Sequence, residues 1–289
     1  MDSQVWRTVY QTILAAHRRL PSLGRRPRYP DSLIVAMHIW AAWHDRPLCW
    51  AADRSHYNTL FRPRALPSNS QFCKRLKTDR VQRILQEVHN QLASTEIGST
   101  LSMLDGRVLR VGSHSKDPDA RRGRVAGGFG RGYRLHAWAT QDQRIPLWSV
   151  MPLNADERVV AMELALQPPE TSLTLADTHY DSGPLYDRMA ERGIQLLTPM
   201  RRKNPGGGHR PQSAARLAAA REWEGVAGYV YRERGEIERQ FGHQVWTAGG
   251  LGPLPGWVRR LSRVRMWVGA KLIIGHARLR VRRSPAKAS

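Results

Sequence analysis

The chain has little of what builds a disulfide-stabilised or a membrane-spanning protein. Its 289 residues include two cysteines, Cys49 and Cys73, whose spacing suits neither a disulfide framework nor a metal-binding motif. No apolar run approaches the ~20 residues needed to cross a bilayer, since the longest candidate, 33–43, is short and contains His38. The start of the chain also lacks the charged, apolar and small-residue order of a signal peptide. These absences predict a cytosolic protein with reduced thiols.

Acidic residues and lysine are scarce as well. Lysine and arginine total 46 against 24 aspartates and glutamates, which gives a formal net charge of +22. Only six of the 46 are lysines, so the positive charge is carried by arginine, whose planar guanidinium binds phosphate through two hydrogen bonds. No acidic residue follows Glu238, although eleven basic residues do. This balance favours a nucleic-acid partner; an anionic membrane is the lesser alternative, because no basic amphipathic segment stands out.

Residues 1–95 are predicted to form a helical, DNA-binding domain. The segment holds 15 basic and 6 acidic residues, and short helices joined by tight turns permit a helix-turn-helix interpretation. Trp40 and Trp43 lie among apolar residues, so core packing is favoured over base stacking for both. Helical spacing of apolar residues occurs in 5–17, 33–44, 71–77 and 81–92.

From about residue 99 the pattern changes to that of strands. Two short apolar runs, 100–104 and 107–111, flank Asp105-Gly106. This dipeptide is typical of hairpin turns, so a turn is the simplest interpretation of Asp105. Residues 113–131 are rich in glycine, arginine and serine and are predicted to be a flexible basic loop. Further strands are predicted at 133–140 and 145–150.

The chain then alternates strands and helices, which predicts an α/β domain with parallel pairing. A strand at 172–177, with the apolar run 173–176, ends in Asp177, and a helix from about 180 to 192 and a strand at 194–197 follow it. Binding and catalytic sites of such sheets form beyond the carboxyl ends of the strands. Asp177 is therefore a candidate site residue, and a helix cap or a turn is the alternative interpretation.

A mixed stripe of residues marks the helix predicted at 231–241. Tyr231, Arg234, Glu238 and Phe241 are offset by 0, 3, 7 and 10 positions, which places them on one helical face. An ordinary amphipathic helix would carry apolar residues at all four positions, so Glu238 is a candidate metal ligand or general base. The alternative is an ordinary ion pair between Arg234 and Glu238 on a solvated helix.

Three carboxylates therefore stand out along the chain: Asp105, Asp177 and Glu238. Mg²⁺ prefers oxygen ligands. Two such ions about 4 Å apart can activate an attacking oxygen and stabilise the leaving oxygen in phosphodiester chemistry.

The order and contexts of these residues resemble the DDE transposases of bacterial insertion sequences, over about residues 30 to 280. Each matching block alone is common, but their order is specific. The final lysine of the family's Tyr–two–Arg–three–Glu–six–Lys signature is replaced by Val245. The matching blocks are Leu104-Asp105-Gly106 with Ser115-Lys116-Asp117-Pro118-Asp119, Gly132-Tyr133-Arg134-Leu135-His136, Leu175-Ala176-Asp177-Thr178-His179-Tyr180-Asp181-Ser182, and Tyr231, Arg234 and Glu238.

The resemblance implies that residues 96–289 form an α/β RNase H-like catalytic domain, a mixed sheet flanked by helices, with a basic C-terminal helix at 257–279. Asp105, Asp177 and Glu238 would bind two Mg²⁺ ions, with Mn²⁺ as a substitute. The implied reaction is cleavage of double-stranded DNA at terminal inverted repeats and strand transfer to target DNA, by a homodimer in the bacterial cytoplasm, associated with the nucleoid. The DNA-binding candidates are Tyr231, Arg234, Arg239, Arg201, Arg202, Lys203, Arg259 and Arg260.

Two other functions stay open because of Val245. The first is a catalytically inactive or domesticated DNA-binding protein of the same fold, and the second is a nuclease that cuts DNA without joining it. Arg239 is a candidate substitute for the missing lysine. Among the histidines near the acidic blocks, His136 is predicted to be structural because it lies on a strand, and His179 is a minor candidate for the site.

Overall fold

The computed structural model divides the chain into two compact units. The helical unit comprises residues 1–94 and 244–289, and the sheet unit comprises residues 95–243. The structure describes residues 2–21, 24, 27–94, 100–199, 213–223, 225, 228–232, 234, 235, 239, 242 and 250–283. The predicted site residues Arg201, Arg202, Lys203 and Glu238, and also Val245, lie outside the described residues.

The described elements alternate as the sequence pattern predicts. The α-helices are α1 (Ser3–Arg18), α2 (Asp31–Trp43), α3 (Asn69–Leu76), α4 (Asp79–Ala93), α5 (Glu157–Leu164), α6 (Gly183–Glu191), α7 (Ala214–Glu222), α8 (Gly228–Arg232) and α9 (Leu261–Arg283). The strands are β1 (Leu101–Arg110), β2 (Arg121–Val125), β3 (Gly128–Thr140), β4 (Leu147–Pro152), β5 (Leu173–Ala176) and β6 (Gln195–Leu197). Short 3₁₀ turns occupy Leu48–Ala52, Arg54–His56 and Thr178–Tyr180. Among these helices, none is both long and apolar enough to span a membrane.

The helical unit is built around an apolar core to which α1, α2, α3, α4 and α9 contribute. On α1 the fully buried residues Val9, Ile13 and Ala16 recur at spacings of four and three, which is the apolar stripe predicted from the sequence. The N-terminus of α3 carries a capping box, in which the Ser68 and Gln71 side chains each accept a hydrogen bond from the other residue's backbone N–H. The predicted N-terminal helical region is confirmed.

The basic C-terminal helix α9 packs within the helical unit, whereas the sequence analysis placed it with the catalytic domain. Its buried Ile273 belongs to the core of that unit. The buried Lys271 Nζ pairs with Oδ1 of Asp45 at 2.7 Å, and His38 Nε2 donates to the carbonyl oxygen of Met266 at 3.2 Å. His38 and Met266 are 228 positions apart, so no local pattern in the sequence signalled this contact.

The sheet unit is a mixed, six-stranded sheet flanked by helices. Its strand order is β2-β3-β1-β5-β6, and β4 also pairs with β3. Strand β3 pairs antiparallel with β1 on one side and also with β4. Strand β5 runs parallel to β1, and β6 runs parallel to β5. Helix α5 packs on β3 and β4, and α6 and α7 pack on β6. This architecture confirms the predicted α/β RNase H-like fold.

The hairpin turn predicted at Asp105-Gly106 is wrong. β1 passes through both residues without a break, and they pair with Ala137 and His136 of β3. The two apolar runs on either side of the dipeptide form one strand because β3 offers a continuous partner for nine consecutive register pairs, from Ser102 to Arg110. Pairing with a distant strand therefore overrides the local turn preference.

The flexible loop predicted at 113–131 contains a hairpin instead. β2 pairs antiparallel with the first residues of β3, and the turn between them includes Gly127 at φ 82° and Gly128 at φ 138°, values that favour glycine. Gly123 lies so close to Leu153 that a Cβ on it would stand 2.3 Å from that residue's carbonyl oxygen. The glycines that suggested a loop are needed for this close approach and this turn.

Candidate active site

Asp105 and Asp177 lie side by side at the junction of two parallel strands. Leu104 of β1 is paired with Ala176 of β5, and each aspartate is the next residue along its own strand. Neighbouring strands are about 4.8 Å apart, so matched positions bring the two side chains close together. Both are half-buried. The structure thus brings together two of the three predicted carboxylates.

The carboxylate of Asp105 is held by its own backbone. Its Oδ1 accepts a hydrogen bond from the Gly106 N–H at 2.8 Å. Arg107 lies two positions further on, on the same side of β1. Burial lowers the pKa of the Arg107 guanidinium, and the nearby charge of Asp105 acts in the opposite direction. A cation thus accompanies the first carboxylate on its strand.

Asp177 caps the 3₁₀ turn that follows β5. Its Oδ1 accepts from the His179 N–H at 2.7 Å, and its Oδ2 lies 3.0 Å from Nδ1 of the exposed His179. The capping role that the sequence left open is therefore observed. It fixes the carboxylate at the end of the strand, where a ligand to a metal ion also has to be held.

Tyr180 lies beneath the two carboxylates. Its side chain is fully buried, and its hydroxyl has no hydrogen-bond partner among the residues that the structure describes. Burial, followed by the charges of Asp105 and Asp177, raises the pKa of this phenol. Tyr180 therefore keeps its proton and is a hydrogen-bond donor. The sequence analysis quoted this tyrosine within the second acidic block but gave it no role.

An ion pair between Arg134 of β3 and Glu157 of α5 borders the same site. The two side chains are 12% and 18% exposed. A Cβ on Gly106 would lie 3.0 Å from Cδ of Arg134 and 3.4 Å from Oε2 of Glu157. Arg134 Nη2 also donates to the carbonyl oxygen of Arg124 at 3.0 Å. Sequence reasoning missed this pair because no periodic pattern links its two residues.

Helix α8, which contains Tyr231 at the start of the predicted stripe, is attached to the end of β5. The Tyr231 hydroxyl donates to the carbonyl oxygen of Ala176 at 3.2 Å, next to Asp177. Arg234 donates to that hydroxyl and places its guanidinium 5.5 Å from the centre of the Tyr231 ring. The Trp223 ring centroid lies 4.9 Å from that of Tyr231. Tyr231 and Arg234 thus hold the helix to β5, and their predicted contact with DNA stays a prediction.

The remaining predicted DNA-binding residues fall in both units. Arg239 of the sheet unit is exposed, and its Nε donates to the carbonyl oxygen of Gly235 at 3.3 Å. Arg259 and Arg260 of the helical unit are both exposed, and Arg260 has a left-handed backbone at φ 70°. Their roles stay predictions, as does that of Glu238.

A groove of about 480 Å³ opens beside Asp105. Its wall includes Arg107 and Arg110 of β1 and reaches Gly242, which follows the stripe containing Tyr231 and Arg234. A groove that combines two arginines with one carboxylate suits an anionic ligand such as a phosphate. The arginines can bind the phosphate directly, and the carboxylate can hold a metal cation that also contacts it.

The donor set fits a divalent metal ion in part. Carboxylate oxygens are the protein ligands that Mg²⁺ prefers, and Asp105 and Asp177 supply them at adjacent strand positions. Within the described ranges, no three His, Cys, Asp or Glu side chains form a metal-binding group. Asp105 and Asp177 therefore account for two predicted ligands, and Glu238 is the third.

Two further residues of the quoted blocks have structural roles. Asp117 is fully buried and accepts from the Tyr133 hydroxyl at 2.7 Å, and it also accepts from the Asp119 N–H at 3.1 Å. His136 is 1% exposed, and burial, together with the charge of Arg134, lowers its pKa to about 4. A neutral histidine inside the sheet agrees with the structural role predicted for it.

Comparison with known proteins places the sheet unit in a family. The protein family described as Transposase DDE domain matches residues 97–244, a span that contains Asp105, Asp177 and Glu238. No curated protein matches the chain.

Among solved structures, four chains match. One belongs to the cryoEM structure of the simian T-cell lymphotropic virus intasome in complex with PP2A regulatory subunit B56 gamma. It shares 12% identity, with 66% of this chain and 65% of that chain covered, at a TM-score of 0.24. This chain thus spans slightly less than two thirds of the other, and a likeness at that score does not establish a shared fold.

Proposed function

The chain belongs to the Transposase DDE domain family, and on that premise we propose that it is an insertion-sequence transposase. It cuts double-stranded DNA at terminal inverted repeats and transfers the cut strand to target DNA. The observation that carries the proposal is the matched position of Asp105 and Asp177 on neighbouring parallel strands.

Asp105, Asp177 and Glu238 would hold two divalent ions, Mg²⁺ or Mn²⁺ as a substitute. Such ions supply activation of an attacking oxygen and stabilisation of the leaving oxygen when bound. The hydrogen bonds from Gly106 to Asp105, within β1, and from His179 to Asp177, at the end of β5, fix both carboxylates before any ligand arrives. Glu238 follows Arg234 by four positions, so a continuing helix would present it on the face that contacts β5.

The arginines of the chain bind and orient the DNA. Arg107 and Arg110, on the wall of the groove beside Asp105, would contact backbone phosphates of the bound DNA. Arg239, Arg259, Arg260 and the basic run at 201–203 extend this surface. A net charge of +22 draws the polyanion to the protein and makes binding depend on salt.

Two copies of the chain are proposed to act together, because an element has two ends to be cut. DNA as substrate also places the protein in the bacterial cytoplasm with the nucleoid. Sedimentation of the protein mixed with an end-containing duplex tests the dimer: a complex with one chain for two DNA ends contradicts it.

Cleavage assays on an end-containing duplex with Mg²⁺ test the catalytic assignment. Asp105→Asn, Asp177→Asn and Glu238→Gln are each expected to abolish cleavage while DNA binding is retained. Glu163→Gln is the matched control, because Glu163 is an exposed carboxylate on α5, and it should cut normally. Cleavage retained by any one of the three variants removes that residue from the catalytic set.

Val245 supports a second candidate, a DNA-binding protein of the same fold that lacks catalysis, because it replaces the lysine of the signature. Calorimetry with Mn²⁺ separates the two: the inactive protein takes up no ion at Asp105 and Asp177. A nuclease without joining activity differs from both, since it releases cut ends but forms no product with a target duplex.

A further inference from the structure

The helical unit contains a groove of about 650 Å³ that the catalytic assignment does not use. It lies between the end of α2, the following 3₁₀ turn, α3 and the start of α9. Its floor is largely apolar and includes the buried side chains of Leu76 and Trp267. The half-buried Trp257 forms part of its wall. We call it the α2–α9 groove.

Four cations stand on the rim of the α2–α9 groove: Arg46, Lys77, Arg260 and Arg263. All four side chains are exposed. None of the described residues that line the groove is acidic. The rim therefore presents concentrated positive charge over an apolar floor.

Two acidic residues near this rim, Asp45 and Asp31, have partners of their own, whereas Asp79, two positions after Lys77, is exposed at the start of α4. Asp45 precedes Arg46, and its carboxylate pairs with the buried Lys271 at 2.7 Å. Asp31 is buried and accepts from Arg75 at 2.6 Å and from Arg80 at 2.8 Å. Asp45 and Asp31 thus neutralise cations outside the rim, and the four rim cations outnumber Asp79, the acid next to Lys77 in sequence.

We propose that the α2–α9 groove is a DNA-binding site, in which the rim cations contact backbone phosphates and Trp257 packs against a base or sugar. The proposal rests on the proposed function, and it adds a site in the helical unit that residues from both ends of the chain build together. DNA is favoured over an acidic protein because the half-buried Trp257 lies beside these cations and offers an aromatic face for a base.

The two cysteines of the chain provide a direct test, because both Cys49 and Cys73 line this groove. Cys49 is exposed, so a maleimide should alkylate it readily in the free protein. The experiment measures alkylation of Asp105→Asn protein, without metal ions, with and without a fluorescein-labelled duplex whose binding is followed by anisotropy. We expect alkylation of Cys49 to fall in proportion to the fraction of protein bound.

Unchanged alkylation while anisotropy shows saturated binding overturns the groove assignment and leaves the proposed function intact. Equal protection by polyglutamate at the same charge concentration overturns the choice of DNA. Absence of any DNA binding contradicts the proposed function itself.

Substitutions on the rim give a second measurement. Lys77→Gln and Arg263→Gln should each weaken DNA binding and reduce the slope of log affinity against log salt by about 0.9 for each phosphate that the variant no longer neutralises. Arg83→Gln is the matched control, because Arg83 is an exposed arginine of α4 that does not line the groove. An equal weakening in all three variants would show non-specific attraction and overturn the assignment.

A separate observation concerns Tyr180. Buried polar groups are nearly always hydrogen-bonded, and the neighbouring buried tyrosines obey this rule. The Tyr186 hydroxyl lies 2.9 Å from Oγ1 of Thr198, and the Tyr133 hydroxyl donates to Asp117 at 2.7 Å. The hydroxyl of Tyr180 is fully buried and has no such partner in the described part of the chain.

We infer that Tyr180 is a positioning residue for Asp105, to which it donates a hydrogen bond once a divalent ion occupies the site. The Tyr180 hydroxyl lies 3.5 Å from a Cβ built on Gly106, the residue after Asp105. The guanidinium groups of Arg134 and Arg234 are also nearby, but they can only donate. The acceptor must therefore be an oxygen. Glu157 Oε2 lies 3.4 Å from the same Cβ but is paired with Arg134, which leaves the carboxylate of Asp105 as the acceptor that we assign. This inference rests on the proposed function.

Tyr180→Phe is tested against Tyr186→Phe. Tyr180→Phe should leave the thermal midpoint of the metal-free protein unlowered, because it removes no hydrogen bond to any described residue. It should weaken Mn²⁺ binding roughly 10- to 100-fold, as for other residues that orient a metal ligand. Tyr186→Phe should lower the midpoint and leave Mn²⁺ affinity unchanged.

Calorimetry and thermal unfolding measure both quantities. A midpoint lowered by Tyr180→Phe as much as by Tyr186→Phe, or an unchanged affinity for Mn²⁺, overturns the positioning role. No Mn²⁺ binding by the unsubstituted protein contradicts the proposed function instead.

Discussion

The hydroxyl of Tyr231 donates a hydrogen bond to the carbonyl oxygen of Ala176 across 3.2 Å. Ala176 is the last residue of β5, and Asp177 follows it. Tyr231 begins the stripe that continues through Arg234 towards Glu238. This hydrogen bond therefore connects the residue before the second aspartate to helix α8, although the residues it joins are 55 positions apart.

Tyr231→Phe should lower the free energy of unfolding by about 1 kcal/mol, the net value of one hydrogen bond, and should also reduce DNA cleavage, since the helix is less firmly held at β5. Urea unfolding and a cleavage time course measure the two effects. Tyr229→Phe is the control, because Tyr229 lies on the same helix and is 63% exposed. A fully active Tyr231→Phe protein would show that cleavage does not depend on this attachment.

Gly106→Ala should destabilise the sheet unit by about 1–3 kcal/mol, as is typical of overpacking. The added methyl group would lie 3.0 Å from Cδ of Arg134, close to the ion pair with Glu157. Gly112→Ala is the matched control, since nothing lies within 4 Å of a Cβ at that position. Thermal unfolding of both variants checks the prediction, and similar midpoints would contradict the close packing at Gly106.

Glu157→Gln should cost about 2 kcal/mol of stability, because it leaves the Arg134 guanidinium, at 12% exposure, without its charged partner. Glu191→Gln should change stability by less than about 0.5 kcal/mol, since the pair of Arg188 and Glu191 is more exposed and 3.5 Å apart. A double-mutant cycle on Arg134 and Glu157 measures the coupling between them. Coupling no larger than that of the exposed pair would contradict the prediction.

The stability of the protein should fall as the pH is lowered from 6.5 towards 4, in part because of His136. Burial lowers the pKa of this histidine from 6.5 to about 4, so the unfolded chain binds its proton first. The stabilising contribution of neutral His136 is therefore fully present above pH 6.5 and is lost on acidification. One such group lowers the free energy of unfolding by up to about 1.4 kcal/mol per pH unit.

His136→Leu should make the pH dependence of stability less steep, as measured by urea unfolding at pH 7 and pH 5. His114→Gln serves as the control, because His114 is exposed, and it should leave the slope unchanged. Equal slopes in the two variants would show that His136 does not contribute to the acid sensitivity.

Several elements were predictable because their signals are local. The helical spacing of Val9, Ile13 and Ala16 marks a buried face that any core would cover. The short strand predicted over 172–177 contains β5, which ends one residue before Asp177. Hydrophobic period and capping residues act over a few positions, and a single chain displays them directly.

The errors have long-range causes. Asp105-Gly106 has the composition of a turn, and β3, more than 20 residues further on, makes it part of a strand. The glycines at 123–130 suggest a loop, but this segment forms a hairpin. Gly123 is required there because Leu153 lies too close for any side chain. The local preference of a segment does not show which distant strand it will pair with in the folded sheet.

Composition and spacing were enough to indicate a nucleic-acid partner, two strand-associated aspartates and the helices of the N-terminal unit, because charge and periodicity are properties of the chain itself. The neighbouring positions of Asp105 and Asp177, the unpaired hydroxyl of Tyr180 within the described residues, and the joining of α9 to the helical unit required the folded coordinates. Each depends on contacts between segments far apart in sequence, and these exist only after strand register and core packing are settled.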